Sequence, residues 1–158
     1  MNGERRTPNV RGLAVLDIAW NTHASRIQNR IDALAAITDE IGVITRTFLS
    51  EATLRANLVV ASWMREAGLT TSEDRVGNLL GQSQSDPRNS IFLLGSHLDT
   101  VRNAGRFDGP LGVLLAIEAV DILRSSNVAL PFSPAVASLV SVLFISLIVL
   151  VPDDSSRY

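Results

Sequence analysis

The segment that most narrows the fold of this 158-residue chain is Ile91-Phe92-Leu93-Leu94-Gly95-Ser96-His97-Leu98-Asp99-Thr100, followed by Gly105-Arg106-Phe107-Asp108-Gly109-Pro110. Four consecutive apolar residues at 91–94 are typical of a strand buried on both faces. Pro110 suits the first turn of a helix, and Leu114, Ile117, Val120 and Leu123 carry that helix onward. A buried strand that runs through a loop into a helix is a building unit of α/β layer architecture. Upstream, Ile27, Ile31, Leu34 and Ile37 recur at helical spacing. A second helix starts after Ser50, a good N-cap, with Glu51 where the helix dipole favours negative charge. It places Leu54, Leu58, Ala61 and Met64 on one stripe and stops at Gly68, a natural C′ residue. Residues 76–81 read as a short strand after the charged turn 72–75, and 82–89 as a loop rich in Ser, Asp and Pro. The expectation is an α/β fold with helices packed on a mixed sheet.

The chemistry concentrates in the same segment. His97 follows directly from the strand, so its imidazole falls at the strand's carboxyl end, where open α/β sheets place their ligands. Asp99, two residues on, can accept a hydrogen bond from the ring nitrogen turned away from a metal, which fixes the tautomer. Asp108 stands on a glycine-flanked turn just before Pro110. Imidazole with carboxylate suits zinc, manganese or cobalt. Two protein ligands are fewer than the three of an ordinary catalytic zinc site, however. Spacing alone is equally satisfied by a strand-end histidine bonded to a nearby carboxylate. His23, the other of the two histidines, lies in a polar stretch ahead of the first helix and reads as a surface or N-terminal helix residue.

Composition removes several alternatives. A formal net charge of -2 and a pI near 5.6 argue against a nucleic-acid partner, which calls for a basic patch. With no cysteine there is neither a disulfide framework nor a thiolate zinc site. Residues 1–23 read as a polar leader without signal-peptide features, which points to the cytoplasm. The last third changes character: no charged residue occurs at 128–151, and no proline or glycine at 135–151. Such a run approaches the roughly 18–20 residues that span a bilayer, so a membrane anchor at 135–151 is a rival reading. It lacks a flanking basic cluster and an aromatic belt.

Ser96-His97-Leu98-Asp99-Thr100-Val101 with Gly105-Arg106-Phe107-Asp108-Gly109-Pro110-Leu111-Gly112 resembles the metal-binding signature of the M20-type metallohydrolases. The likeness is to their amidase, hydantoinase and carbamoylase branch: allantoate amidohydrolase, N-carbamoyl-L-amino-acid hydrolase and β-ureidopropionase. It extends upstream through 37–40, 45–50, 63–69, Asp74 and 77–81, and covers about 27–132. The resemblance implies the N-terminal portion of a metallopeptidase-like catalytic domain, over 24–132. It also implies two divalent metal ions, zinc or manganese, and hydrolysis of a C–N bond in a small ureido or carbamoyl compound, allantoate foremost. His97 would be a ligand of one metal, Asp108 the carboxylate bridging both, and Asp99 the residue that orients His97. In the family a strand beginning like Leu130-Pro131-Phe132 leads to an acidic pair that supplies the general base. Here that position falls near Ser141, Val142 and Leu143, and no Glu or Asp occurs between Asp121 and Asp153. The expectation is therefore a truncated amidohydrolase with an aberrant apolar tail at 133–158. It would bind at most one metal weakly, be inactive alone, and lack the domain through which the family forms homodimers.

Overall fold

The computed structural model describes residues 11–84, 90–126, 130–139 and 147–151. These form α1 (Arg11–Ala35), α2 (Glu51–Glu66), α3 (Pro110–Ser125) and the strands β1 (Leu69–Glu73), β2 (Leu79–Ser83), β3 (Ser90–His97), β4 (Phe132–Leu139) and β5 (Leu147–Val151). The strands make one sheet in the order β1-β2-β4-β3-β5. Only β3 and β4 run parallel, joined by α3 as crossover, and every other pairing is antiparallel. The expected mixed sheet with helices packed on it is what forms.

One apolar cluster ties the layers together. Ile31 and Leu34 of α1, Ala56, Val60 and Met64 of α2, and Val113, Leu114 and Ile117 of α3 meet Leu69, Leu79 and Val136 of the sheet. Each large aliphatic side chain buried there contributes about 1.5–3 kcal/mol. The helix ends follow local chemistry. Ser50 is extended (φ −69°, ψ 163°) and its Oγ accepts from the Thr53 amide. Asp39 Oδ1 accepts from the Ala52 amide at 3.0 Å, so two free amides of α2 are satisfied. Gly68 takes φ +83° just past the helix, as a C′ glycine does. Ser50→Ala is expected to cost about 1 kcal/mol in urea unfolding, because Asp39 keeps covering the neighbouring amide.

Several expectations are corrected. The first helix begins at Arg11 rather than after a leader, which places His23 inside α1. On α2 the inner face is made of Ala52, Thr53, Ala56, Asn57, Val60, Ala61 and Met64, while Leu54 and Leu58 are 44% and 68% exposed. Small side chains let that helix lie close to the sheet: at Gly81 an added Cβ would stand 2.8 Å from Met64 Sδ. The strand expected at 76–81 starts only at Leu79, because Asp74 Oδ1 captures the amides of Val76 and Asn78 and makes 74–78 a turn. Leu69–Glu73, of which 72–73 read as part of a turn and 69–71 carried no assignment, is the partner strand of that hairpin. Residues 90–95 of β3 are half-buried rather than buried on both faces.

The apolar tail reading also changes. Residues 133–139 are not outside the domain but complete β4, an interior strand between β2 and β3. Pro134 sits just beyond the last residue paired with β2, where a missing N–H costs least. Residues 135–139 and 147–151, assigned above to a rival membrane anchor, are sheet strands, and 140–146 lie outside the described residues. No helix among the described residues is long and apolar enough to cross a membrane.

Candidate metal half-site

β3 delivers His97 at its last position, and the chain then turns through Leu98, Asp99 and Thr100. All four residues are buried, at 7%, 1%, 3% and 2% exposure. The His97 ring rests against Gly109, whose φ of +88° no L side chain adopts readily. A Cβ at 109 would lie 2.6 Å from His97 Cε1, Nδ1 and main-chain oxygen alike. Ser96 Oγ donates to the Gly109 carbonyl at 2.9 Å, stitching the strand end to the entry of α3. Glycine is required here because the imidazole occupies the space of its side chain.

The orienting bond comes from the main chain of Asp99. His97 Nδ1 lies 2.9 Å from the Asp99 carbonyl oxygen, which can only accept, so Nδ1 carries the proton. In the neutral ring the lone pair is then on Nε2. The Asp99 carboxylate, expected to take this bond, stands 3.6 Å from Nδ1, and its Oδ1 is buried without a hydrogen-bond partner among the described residues. That carboxylate is the largest influence raising the His97 pKa; burial opposes it, and the Asp99 carbonyl and the charges of Asp99 and Asp108 add to the rise. Asp108 is exposed at the mouth of the same turn. The structure thus sets Asp99 beside His97 and leaves Asp108 exposed on the turn that precedes Gly109.

The donor set fits a divalent ion in part. Nε2 of an imidazole held in the ligating tautomer, an exposed carboxylate just before Gly109 and a buried carboxylate 3.6 Å from Nδ1 are groups that a metal-binding histidine uses. Among the described residues, no group of three or more His, Cys, Asp or Glu side chains could hold a metal.

Two groups of residues escaped sequence reasoning. Arg46, 1% exposed, bonds the carbonyls of Leu98, Leu34 and Ile37. Its own main chain pairs with Thr100 through Arg46 N to Thr100 Oγ1 (2.8 Å) and Thr100 N to Arg46 O (2.6 Å). The one available signal was an arginine among small and apolar neighbours at 42–45. The other group is polar: His23, Arg26 and Arg30 of α1 surround the buried Glu118 of α3. His23 is therefore a partner of Glu118, not a free surface residue.

The mixed α/β sheet, with His97 at the carboxyl end of β3 and three helices packed on it, is the fold of hydantoinase/carbamoylase structures. The chain is homologous, over part of its length, to amidohydrolases of the hydantoinase/carbamoylase family. It is 48% identical over 91 residues to a probable allantoate deiminase of Oryza sativa subsp. japonica, covering 56% of this chain and 18% of that protein. It is 43% identical over 106 residues to an N-carbamoyl-L-amino-acid amidohydrolase of Pseudomonas sp. (strain NS671), covering 65% of this chain and 25% of that one. A hydantoinase/carbamoylase family amidase from Burkholderia ambifaria superposes with a TM-score of 0.66 at 34% identity, covering 72% of this chain and 28% of that structure. No protein-family model matches the sequence. The chain thus spans about a quarter or less of the curated relatives named here.

Proposed function

We propose that this chain carries part of the metal centre of an amidohydrolase that cleaves C–N bonds in ureido or carbamoyl compounds. Allantoate is the favoured substrate and N-carbamoyl-L-amino acids are the alternative; the two relatives named above act, by their names, on these two kinds of compound. The observation that carries the reading is the seating of His97: Nδ1 tied to the Asp99 carbonyl, the ring against Gly109, and Asp108 on the adjoining turn.

His97 Nε2 and the Asp108 carboxylate are the groups that would hold zinc or manganese, with Asp108 the one able to bridge two ions. Such ions supply polarisation of the scissile carbonyl and a more acidic bound water. Asp99 fixes the tautomer through its carbonyl, and its buried carboxylate stands 3.6 Å from Nδ1, on the side of the ring away from Nε2. Proton transfer needs a further carboxylate, and no Asp or Glu occurs between Asp121 and Asp153. The 158 residues by themselves are therefore expected to bind at most one divalent ion, weakly, and to turn over no allantoate.

Isothermal titration with zinc, then manganese, tests this. The wild-type chain should show one weak site, and His97→Ala should weaken it by roughly tenfold or more, the scale of a lost metal-site interaction. Identical isotherms for the two proteins would remove His97 from the metal centre.

A further inference from the structure

We propose that Arg46 is a positioning residue of the His97 site: it holds the Leu98–Thr100 turn in the register that brings the Asp99 carbonyl to His97 Nδ1. The proposal rests on the metal reading above and adds to it a residue that does not touch the metal.

Arginine is almost never fully buried unless paired. Arg46 is 1% exposed, and among the described residues its guanidinium makes no salt bridge; it donates only to main-chain carbonyls. Leu34 O at 2.7 Å lies in the last turn of α1, where it also accepts from the Ile37 amide, and Ile37 O at 3.0 Å lies two residues past the helix end. The third, Leu98 O at 3.0 Å from Nε, is the carbonyl of the peptide that joins Leu98 to Asp99. On the other side of Asp99, Thr100 exchanges two bonds with the Arg46 main chain.

Asp99 is thus gripped on both flanks by one residue. Its carbonyl, the group between those two grips, is the acceptor for His97 Nδ1. A helix cap alone would account for the bonds to Leu34 and Ile37. It would not account for the bonds to Leu98 and Thr100, which link the packing of α1 to the direction in which His97 presents Nε2. Burying an unpaired cation is costly, so a neutral donor would serve a cap better. The charge of Arg46 is felt first by Asp39 and then by Asp99, so the acidic residue of the turn it grips is also one of its two charge partners.

The test uses the whole chain with Arg46→Lys and, separately, Thr100→Val, which keeps the cation and the side-chain shape. The readouts are long-range proton–nitrogen NMR of the His97 ring, zinc titration, and Tm as the folding control. In the wild type the ring should be the Nδ1–H tautomer. Both variants should show averaging toward Nε2–H and a zinc affinity about 10- to 100-fold weaker, as outer partners of metal ligands do. Folded variants with wild-type ring signals and zinc affinity, and merely a lower Tm, would overturn the proposal and leave Arg46 a helix cap. If the variants shift the ring signals in a protein that binds no zinc even as wild type, the metal reading fails and the positioning of His97 stands. If Arg46→Lys does not fold, Thr100→Val alone decides, by the same signals.

Discussion

Gly109→Ala is expected to disable the His97 site and to destabilise the whole domain. At φ +88° and ψ −63° an alanine carries backbone strain of about 1–3 kcal/mol. Its Cβ would also stand 2.6 Å from three atoms of His97, one of them main-chain oxygen that cannot rotate away. Overpacking of this kind costs a further 1–3 kcal/mol or so. The ring has to swing, and with it goes the bond to the Asp99 carbonyl. Urea unfolding should show a drop of about 2–6 kcal/mol from these two causes together. Zinc titration of whatever remains folded should show no site. A Gly109→Ala protein as stable as wild type, with its zinc isotherm intact, would mean that the close approach of Gly109 and His97 is not real.

Glu118→Ala should be the most damaging change away from the site. Glu118 is 2% exposed and receives His23, Arg26 (3.2 Å) and Arg30 (3.5 Å) from one face of α1. Positions 23, 26 and 30 are spaced as one helical stripe, so a single carboxylate on α3 sets the rotation of α1. Deleting it leaves His23 and Arg30, with side chains 17% and 11% exposed, without the carboxylate they share. Removing one partner of a buried ion pair costs about 3–5 kcal/mol. The lower end applies, since Arg26 keeps Asp121 at 2.8 Å and Arg30 keeps Glu66 at 2.9 Å. Guanidinium unfolding measures the loss, and hydrogen exchange should show α1 opening ahead of the sheet. A change under ~1 kcal/mol would show the network to be ornamental.

The parts of this fold written in local chemistry were readable in advance, and those that depend on distant partners were not. Ser50, Gly68 and Pro110 mark helix ends through their own backbone preferences, so α2 and α3 were placed closely. Leu54 and Leu58 misled because hydrophobicity was taken as the mark of the inner face. There, alanine, threonine and asparagine face the core because the helix lies close to the sheet. Leu-Thr-Thr-Ser-Glu at 69–73 has too little apolar alternation to announce a strand, and only pairing with β2 makes it one. His97, Asp99 and Asp108 stand out together in the sequence because they are near one another in it. Glu118 and His23 are 95 residues apart and no pattern links them. The orienting bond was assigned to the Asp99 carboxylate, since side chains carry the sequence signal while main-chain carbonyls carry none.

The place of β4 has a consequence for how such a chain is made. β2 ends at Ser83 and β3 begins at Ser90, yet the two never pair; β4, beginning at Phe132, lies between them. During synthesis the first hairpin and the His97 strand must wait, inner edges unpaired, until about forty more residues have emerged and β4 can lie between them. Unpaired edges recruit other chains, so the nascent protein is most exposed to self-association in that interval, before the wedge that unites its two half-sheets has arrived.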